Sequence, residues 1–200
     1  MLWERYYGHA GSESPLPSSV KEIMASPCPF CAEKQIKDTH LLALIPSHVG
    51  GKALTLDYLG ELIQSPRGGV HGTQYRGDWH AKYVRPAIGS QSPDSSYWVL
   101  MTRDVLEGSR SKSYQDQCAL VARHQGYTVP GVLEAAVVML LHHVRSGERL
   151  YSDSPLMYTR CRESVQSCQR VVGDFSSGGL HVFNYYDDDS FFGVAGLRKF

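Results

Sequence analysis

Apolar residues recur at helical spacing in three places along the chain. Between residues 132 and 146, Leu133, Ala136, Val137, Leu140, Leu141 and Val144 follow the i, i+3, i+4, i+7 pattern, and Val138 and Met139 widen the face. This spacing predicts the most buried helix of the protein. Gly147 is placed to end it, and His142, His143 and Arg145 fall in the last turn, where the helix dipole favours positive charge. A second helix is expected over 113–125, with Tyr114, Cys118 and Val121 on one stripe, Ser113 as N-cap and Asp116 in the capping-box position. Gly126 closes it, and Pro130 opens the helix that follows. A third runs from 55 to 64, capped by Thr55, carrying Leu56, Leu59 and Ile63 on one face and stopped by Pro66 and Gly68-Gly69. A short helix over 20–25 can precede these, capped by Ser18 or Ser19.

The other hydrophobic runs have strand character. His40-Leu-Leu-Ala-Leu-Ile45 is a continuous apolar stretch ended by Pro46, which suits a central strand covered on both faces. A strand over 97–101 precedes the second helix. Beyond Glu148 the chain turns to strands at 149–151, 158–162, 169–175, 180–184 and 193–198, with a hairpin turn at 176–179. The expected fold is α+β: a single mixed or antiparallel sheet of about five to seven strands, with the helix pair and the 55–64 helix packed mainly on one face. Residues 1–19 read as an extended arm or linker whose aromatics Trp3, Tyr6 and Tyr7 dock on a single domain spanning 20–200. The polar, glycine-rich stretch 65–95 lacks any period and reads as a functional loop or a partly mobile one.

Composition narrows the function classes. Twenty basic and twenty acidic residues cancel, which removes the case for non-specific nucleic-acid binding. No run is long and apolar enough for a membrane span, and the first residues lack a secretory pattern. Five cysteines cannot all pair within the chain, so a reducing, cytoplasmic compartment is expected.

The strongest chemical candidate is the strand–loop–helix stretch 97–121. Arg103, Ser109, Arg110 and Lys112 precede a helix N-terminus, where two guanidiniums and unpaired N–H groups can hold a phosphate or carboxylate. Tyr158 and Arg160 would complete the same cleft, in company with Arg149, Tyr151, Asp153 and Glu163. The phosphate-loop and dinucleotide fingerprints are absent. Cys28 and Cys31 form a CxxC with His40 and His48 downstream, but their spacing lacks the second tight pair of a structural zinc site, and no metal or cofactor is expected. The same CxxC has prolines on both sides of Cys28 and no adjoining helix, which weakens a redox reading. Cys118 lies on an inward stripe, unlike an accessible nucleophile, and His71 and His80 read as solvated loop residues. The acids of 187–189 lack the alternation of a calcium loop. No nucleophile, base or metal set assembles at recognisable spacing, so the residues leave open whether the chain is an enzyme.

Several segments resemble an uncharacterised protein family of chlamydia-like intracellular bacteria. They are Trp3-Glu-Arg-Tyr-Tyr-Gly, Asp38-Thr-His-Leu-Leu-Ala-Leu-Ile-Pro, the stretch 51–63, Tyr97-Trp-Val-Leu-Met-Thr-Arg-Asp-Val-Leu-Glu-Gly-Ser-Arg, Arg145-Ser-Gly-Glu-Arg-Leu-Tyr-Ser-Asp, Tyr158-Thr-Arg-Cys and Gly193-Val-Ala-Gly-Leu-Arg-Lys-Phe. The family often has tryptophan where Cys31 stands, and its module lies C-terminal to segments that resemble F-box or leucine-rich-repeat regions. The resemblance implies an effector-like protein-interaction module of a host-associated bacterium, with 65–95 and 102–112 as contact surface and a protein as partner. The alternative is a small-ligand or enzyme domain binding a phosphate- or carboxylate-bearing molecule through the residues named above.

Overall fold

The organising element is one helix held between two sheets. The computed structural model describes residues 2–10, 15–78, 80–165, 168–185 and 188–200. In chain order its elements are α1 (Leu2–Tyr6), α2 (Val20–Ala25), β1 (Pro27–Cys28), β2 (Cys31–Gln35), α3 (Ile36–Thr39), β3 (His40–Ile45), β4 (His48–Val49), β5 (Lys52–Ala53) and α4 (Leu56–Leu62). There follow α5 (Arg85–Ile88), β6 (Tyr97–Thr102), α6 (Tyr114–Ala122), β7 (Tyr127–Thr128), α7 (Val132–Ser146), β8 (Tyr158–Val165), β9 (Cys168–Ser176), β10 (Gly179–Tyr185), β11 (Phe192–Val194) and β12 (Leu197–Lys199).

The class is α+β, but the single sheet expected from the sequence is not what forms. Among the described residues the strands make four sheets. The first large sheet has the order β3-β6-β12-β7, antiparallel throughout; the second is β10-β9-β8-β11, antiparallel except for the parallel pair β8/β11. Two small hairpins, β1-β2 and β4-β5, complete the set. The reason lies in α7. Eleven of its fifteen residues are buried, including Val132, Ala135, Val138 and Met139 outside the main stripe. A helix apolar on most of its circumference needs cover on more than one side. It receives β3 and β6 of the first sheet, and β8 and β9 of the second. Helices are therefore not gathered on one face of one sheet.

The ends of α7 follow the sequence closely. Gly147 takes the left-handed conformation at φ 76° and its N–H reaches His143 O at 2.7 Å. At the other end the Gly131 N–H donates to the Glu134 carboxylate at 2.6 Å, the N3-acid half of a capping box whose other half glycine has no side chain to supply. Glu134 is 1 % exposed, and its carboxylate also accepts from Tyr97 Oη at 2.7 Å, Arg162 Nη1 at 2.8 Å and Lys199 Nζ at 2.7 Å. Those donors come from β6, β8 and β12. One buried carboxylate thus ties the central helix to both sheets.

The stretch 193–198, read as one strand, is split at Ala195-Gly196: β11 belongs to the second sheet and β12 to the first. Nor is 149–151 a strand. Tyr151 adopts φ 52°, and its hydroxyl turns to Thr102 O at 2.9 Å. The run 40–45 lies at a sheet edge rather than in its centre. Trp3 of α1 donates to Leu44 O at 2.9 Å, satisfying part of that edge, and Tyr6 and Tyr7 enter the same core. The aromatics dock, but from a helical turn instead of an extended arm. Segment 65–95 is also organised in part: Gln74 and Arg76 exchange backbone hydrogen bonds with Leu180 beside β10, and helical turns run through His80–Val84 and Arg85–Ile88.

Candidate binding cleft

A cleft of about 530 Å³ is built from three walls. The first is the β1-β2 hairpin, whose tip Pro29-Phe30 is a tight turn. Phe30 packs edge-on against Tyr127 at 4.8 Å and His124 at 4.5 Å. Gly196 makes room for it, since a Cβ there would stand 2.8 Å from the Phe30 ring. The second wall is the loop leaving β6. Arg103 N–H donates to Thr39 O at 2.8 Å, Asp104 accepts the Val105 N–H at 2.6 Å, and Leu106 N–H donates to Val194 O at 2.8 Å. The third is the chain leaving α7, from Glu148 to Ser152, fixed by Tyr151 and by the Phe175 N–H to Tyr151 O bond of 3.0 Å. Cys28, Leu106, Leu150, Tyr151 and Met157 give the cleft an apolar lining.

Charge is mixed at its rim. Arg103 Nη2 lies 3.0 Å from Glu148 Oε2, which also meets His142 Nε2 at 2.7 Å. The hydrogen bond from His142, with help from Arg103, holds the Glu148 carboxyl below its ordinary value. Arg103 is therefore already neutralised. Lys34, Asp38, Glu107 and Arg149 also line the cleft, are exposed, and make no ion pair among the described residues.

The other predicted site residues sit elsewhere. Ser109, fully buried, accepts the Val194 N–H through Oγ at 3.2 Å, and its carbonyl accepts from Gln117 Nε2 at 2.8 Å. Arg160, 3 % exposed, does reach this loop: Nη1 donates to Lys112 O at 2.9 Å and to Gln117 Oε1 at 3.3 Å, while Nη2 meets Asp188 Oδ1 at 2.7 Å. Its guanidinium lies over the Phe192 ring at 5.6 Å. The contact to Lys112 is with the backbone; the side chains of Lys112 and Arg110 are exposed. The structure thus brings Ser109, Arg160 and the Lys112 carbonyl together around Gln117, and leaves Arg103 in the cleft and Arg110 apart. Gln117 was not among the residues expected at this site. Its position three residues after Tyr114 and four before Val121 marks it as inward-facing, where a polar side chain must find partners.

Tyr158 belongs to a third group. Its hydroxyl donates to Asp174 Oδ2 at 2.9 Å and lies 3.1 Å from His181 Nδ1, and Arg76 pairs with the same carboxylate. Asp174 occupies φ 45° where the pairing of β9 with β10 shifts register. Burial lowers the His181 proton affinity even against the pull of Asp174, and burial with the neighbouring carboxylate raises that of Tyr158. Tyr158 and Asp174 are 4 % and 6 % exposed, so this group offers little surface to a substrate. Among the described residues no group of three or more His, Cys, Asp or Glu side chains is arranged to hold a metal, and no helix is long and apolar enough to cross a membrane.

No protein-family model, curated protein or solved structure significantly matches the chain.

Proposed function

We propose that the chain is a protein-interaction module that takes a segment of a partner protein in the cleft between the β1-β2 hairpin, the 103–107 loop and residues 148–152. The observation that supports this is the distribution of engagement among the charges. Arg103 and Arg160, the cations a small anion would need, are neutralised or consumed by Glu148, Asp188 and the Lys112 carbonyl. Lys34, Asp38, Glu107 and Arg149, around the apolar lining, keep no internal partner among the described residues. An apolar centre with a charged rim of both signs suits a peptide segment better than a phosphate. Of the 102–112 loop, the part up to Glu107 contributes to this surface, and the effector-like role in a host-associated bacterium forms part of the same proposal.

Photo-crosslinking residues placed at Lys34 or Glu107 test it, with Arg110 as the external control. In extracts of the expressing cell and of a host cell, both cleft positions should give discrete protein adducts, and those at Glu107 should vanish on Lys34→Glu with Arg149→Glu. Equal adducts at all three positions would defeat the reading. So would stabilisation by inorganic phosphate that depends on Arg149 and occurs without protein adducts, an outcome in favour of a small anionic ligand.

A further inference from the structure

We propose that Cys28 and Cys31 are a reversible dithiol–disulfide pair on the cleft wall, oxidised by a low-molecular-weight disulfide. The two cysteines are direct partners across the β1-β2 hairpin, separated only by the turn Pro29-Phe30. Directly opposed Cα atoms in an antiparallel pair stand about 4.5–5.5 Å apart, inside the roughly 4.4–6.8 Å range that a disulfide spans. The prolines flanking Cys28 help rather than hinder. Pro29 at the first central position of the turn presets its backbone angle, and Phe30 anchors the tip against Tyr127 and His124. The spacing therefore persists without rearrangement of the hairpin.

The two thiols are unequal. Cys31 is half-buried at the cleft and reachable; Cys28 lines the same cleft but is 3 % exposed. Cys161 and Cys168 do not compete, being buried at 0 % and 1 %; Cys118 on α6 is half-buried like Cys31 and is the rival thiol that the test must exclude. The Cys31 thiolate attacks the small disulfide, forming a mixed disulfide and releasing one small thiolate. The Cys28 thiolate, after losing its proton to solvent, then attacks Cys31 Sγ and expels the second small thiolate. Two protein thiols are oxidised and one small disulfide is reduced to two thiols. This chemistry is independent of what the cleft binds.

The test uses the whole chain in graded glutathione/glutathione-disulfide mixtures, with rapid alkylation and mass spectrometry of the tryptic peptide that holds both cysteines. The expected product is an unalkylated peptide lacking two hydrogens, restored by dithiothreitol, with Cys161 and Cys168 still thiols. In C28S, glutathione should accumulate on Cys31; in C31S, Cys28 should stay largely unmodified over the same interval. The proposal is overturned if the wild type carries the Cys31 adduct as heavily as C28S does. It is equally overturned if the disulfide formed joins either residue to Cys118.

Discussion

Replacing Glu134 by glutamine should cost more stability than any other isosteric change at a carboxylate of this fold. The side chain accepts four hydrogen bonds, from Tyr97, Lys199, Gly131 and Arg162, while 1 % exposed. Burial alone would raise its proton affinity. The hydrogen bonds from Arg162 and Lys199 outweigh that and hold the carboxyl below its ordinary value. Glutamine keeps the shape and one acceptor oxygen, but it turns an NH₂ toward donors, leaves Lys199 without its counter-charge and leaves Arg162 with only the more distant Glu163 carboxylate at 3.8 Å. Breaking a buried pair from one side costs about 3–5 kcal/mol. The side chains of Lys199 and Arg162 are 45 % and 43 % exposed and regain water, which places the loss near the lower end, about 3 kcal/mol. With a urea slope of about 2 kcal/mol per molar, the midpoint should fall by about 1.5 M. Glu163→Gln is the control. Its carboxylate is 25 % exposed and caps the Val132 N–H at 2.9 Å, so about 1 kcal/mol, or ~0.5 M, is expected. Urea unfolding followed by tryptophan fluorescence and by far-ultraviolet circular dichroism measures both. A Glu134→Gln midpoint within about 0.3 M of wild type, or one no lower than that of Glu163→Gln, would refute the reasoning.

Other expectations follow from the same contacts. Arg160→Met leaves the Lys112 carbonyl and the Gln117 amide oxygen short of a donor in a buried place and should cost about 2–4 kcal/mol; Arg103→Ala, losing a pair open to solvent, should cost under about 1 kcal/mol by the same urea assay. His40 is buried and its proton affinity is pushed down to about 4, mainly by burial, so the unfolded chain binds protons more readily than the folded one as pH falls from about 6.5 toward 4. Stability should drop across that window by at most about 3 kcal/mol from this residue, with His80, His143 and His181 acting in the same direction. His40→Gln should flatten the slope. Below the ordinary carboxylate range the depressed Glu134 adds a second loss, absent in Glu134→Gln. Gly196→Ala should displace Phe30, cost about 1–3 kcal/mol and quicken alkylation of Cys28; unchanged alkylation would show that the hairpin is not held by that contact.

Local signals in the sequence located α2, α4, α6 and α7 well, while the short α1, α3 and α5 carried too few periodic positions to show. Ser113 caps α6 as expected, accepting the Asp116 N–H at 3.1 Å, and Thr55 caps α4 through the Tyr58 N–H at 3.0 Å. Both depend on residues three apart. The hairpin of β9 and β10 was legible for the same reason, since alternation and the glycines at 178–179 lie within a few positions of each other. Sheet membership depends on distant contacts. Nothing within Gly193-Val-Ala-Gly-Leu-Arg reveals that its halves pair with β8 on one side and with β6 and β7 on the other. The arginines misled in a related way. Arg103 and Arg160 look alike in sequence, yet one meets Glu148 at the cleft and the other a backbone carbonyl, according to what the fold carries past them.

The split of residues 192–199 between two sheets has a consequence for how the molecule comes apart. β12 sits between β6 and β7 in one sheet, while β11, two residues earlier, lies beside β8 in the other. Withdrawing this segment divides β7 from β6 in the first sheet, bares the edge of β8 in the second and unseats the Lys199 contact to Glu134. Neither half has a route to melt alone, so the protein should behave as one cooperative unit in hydrogen exchange. A chain cut ahead of Asp188 should stay incomplete until a synthetic peptide of residues 188–200 is added back. The segment would then serve as a ready-made complementation tag, reporting assembly of the whole fold by its capture.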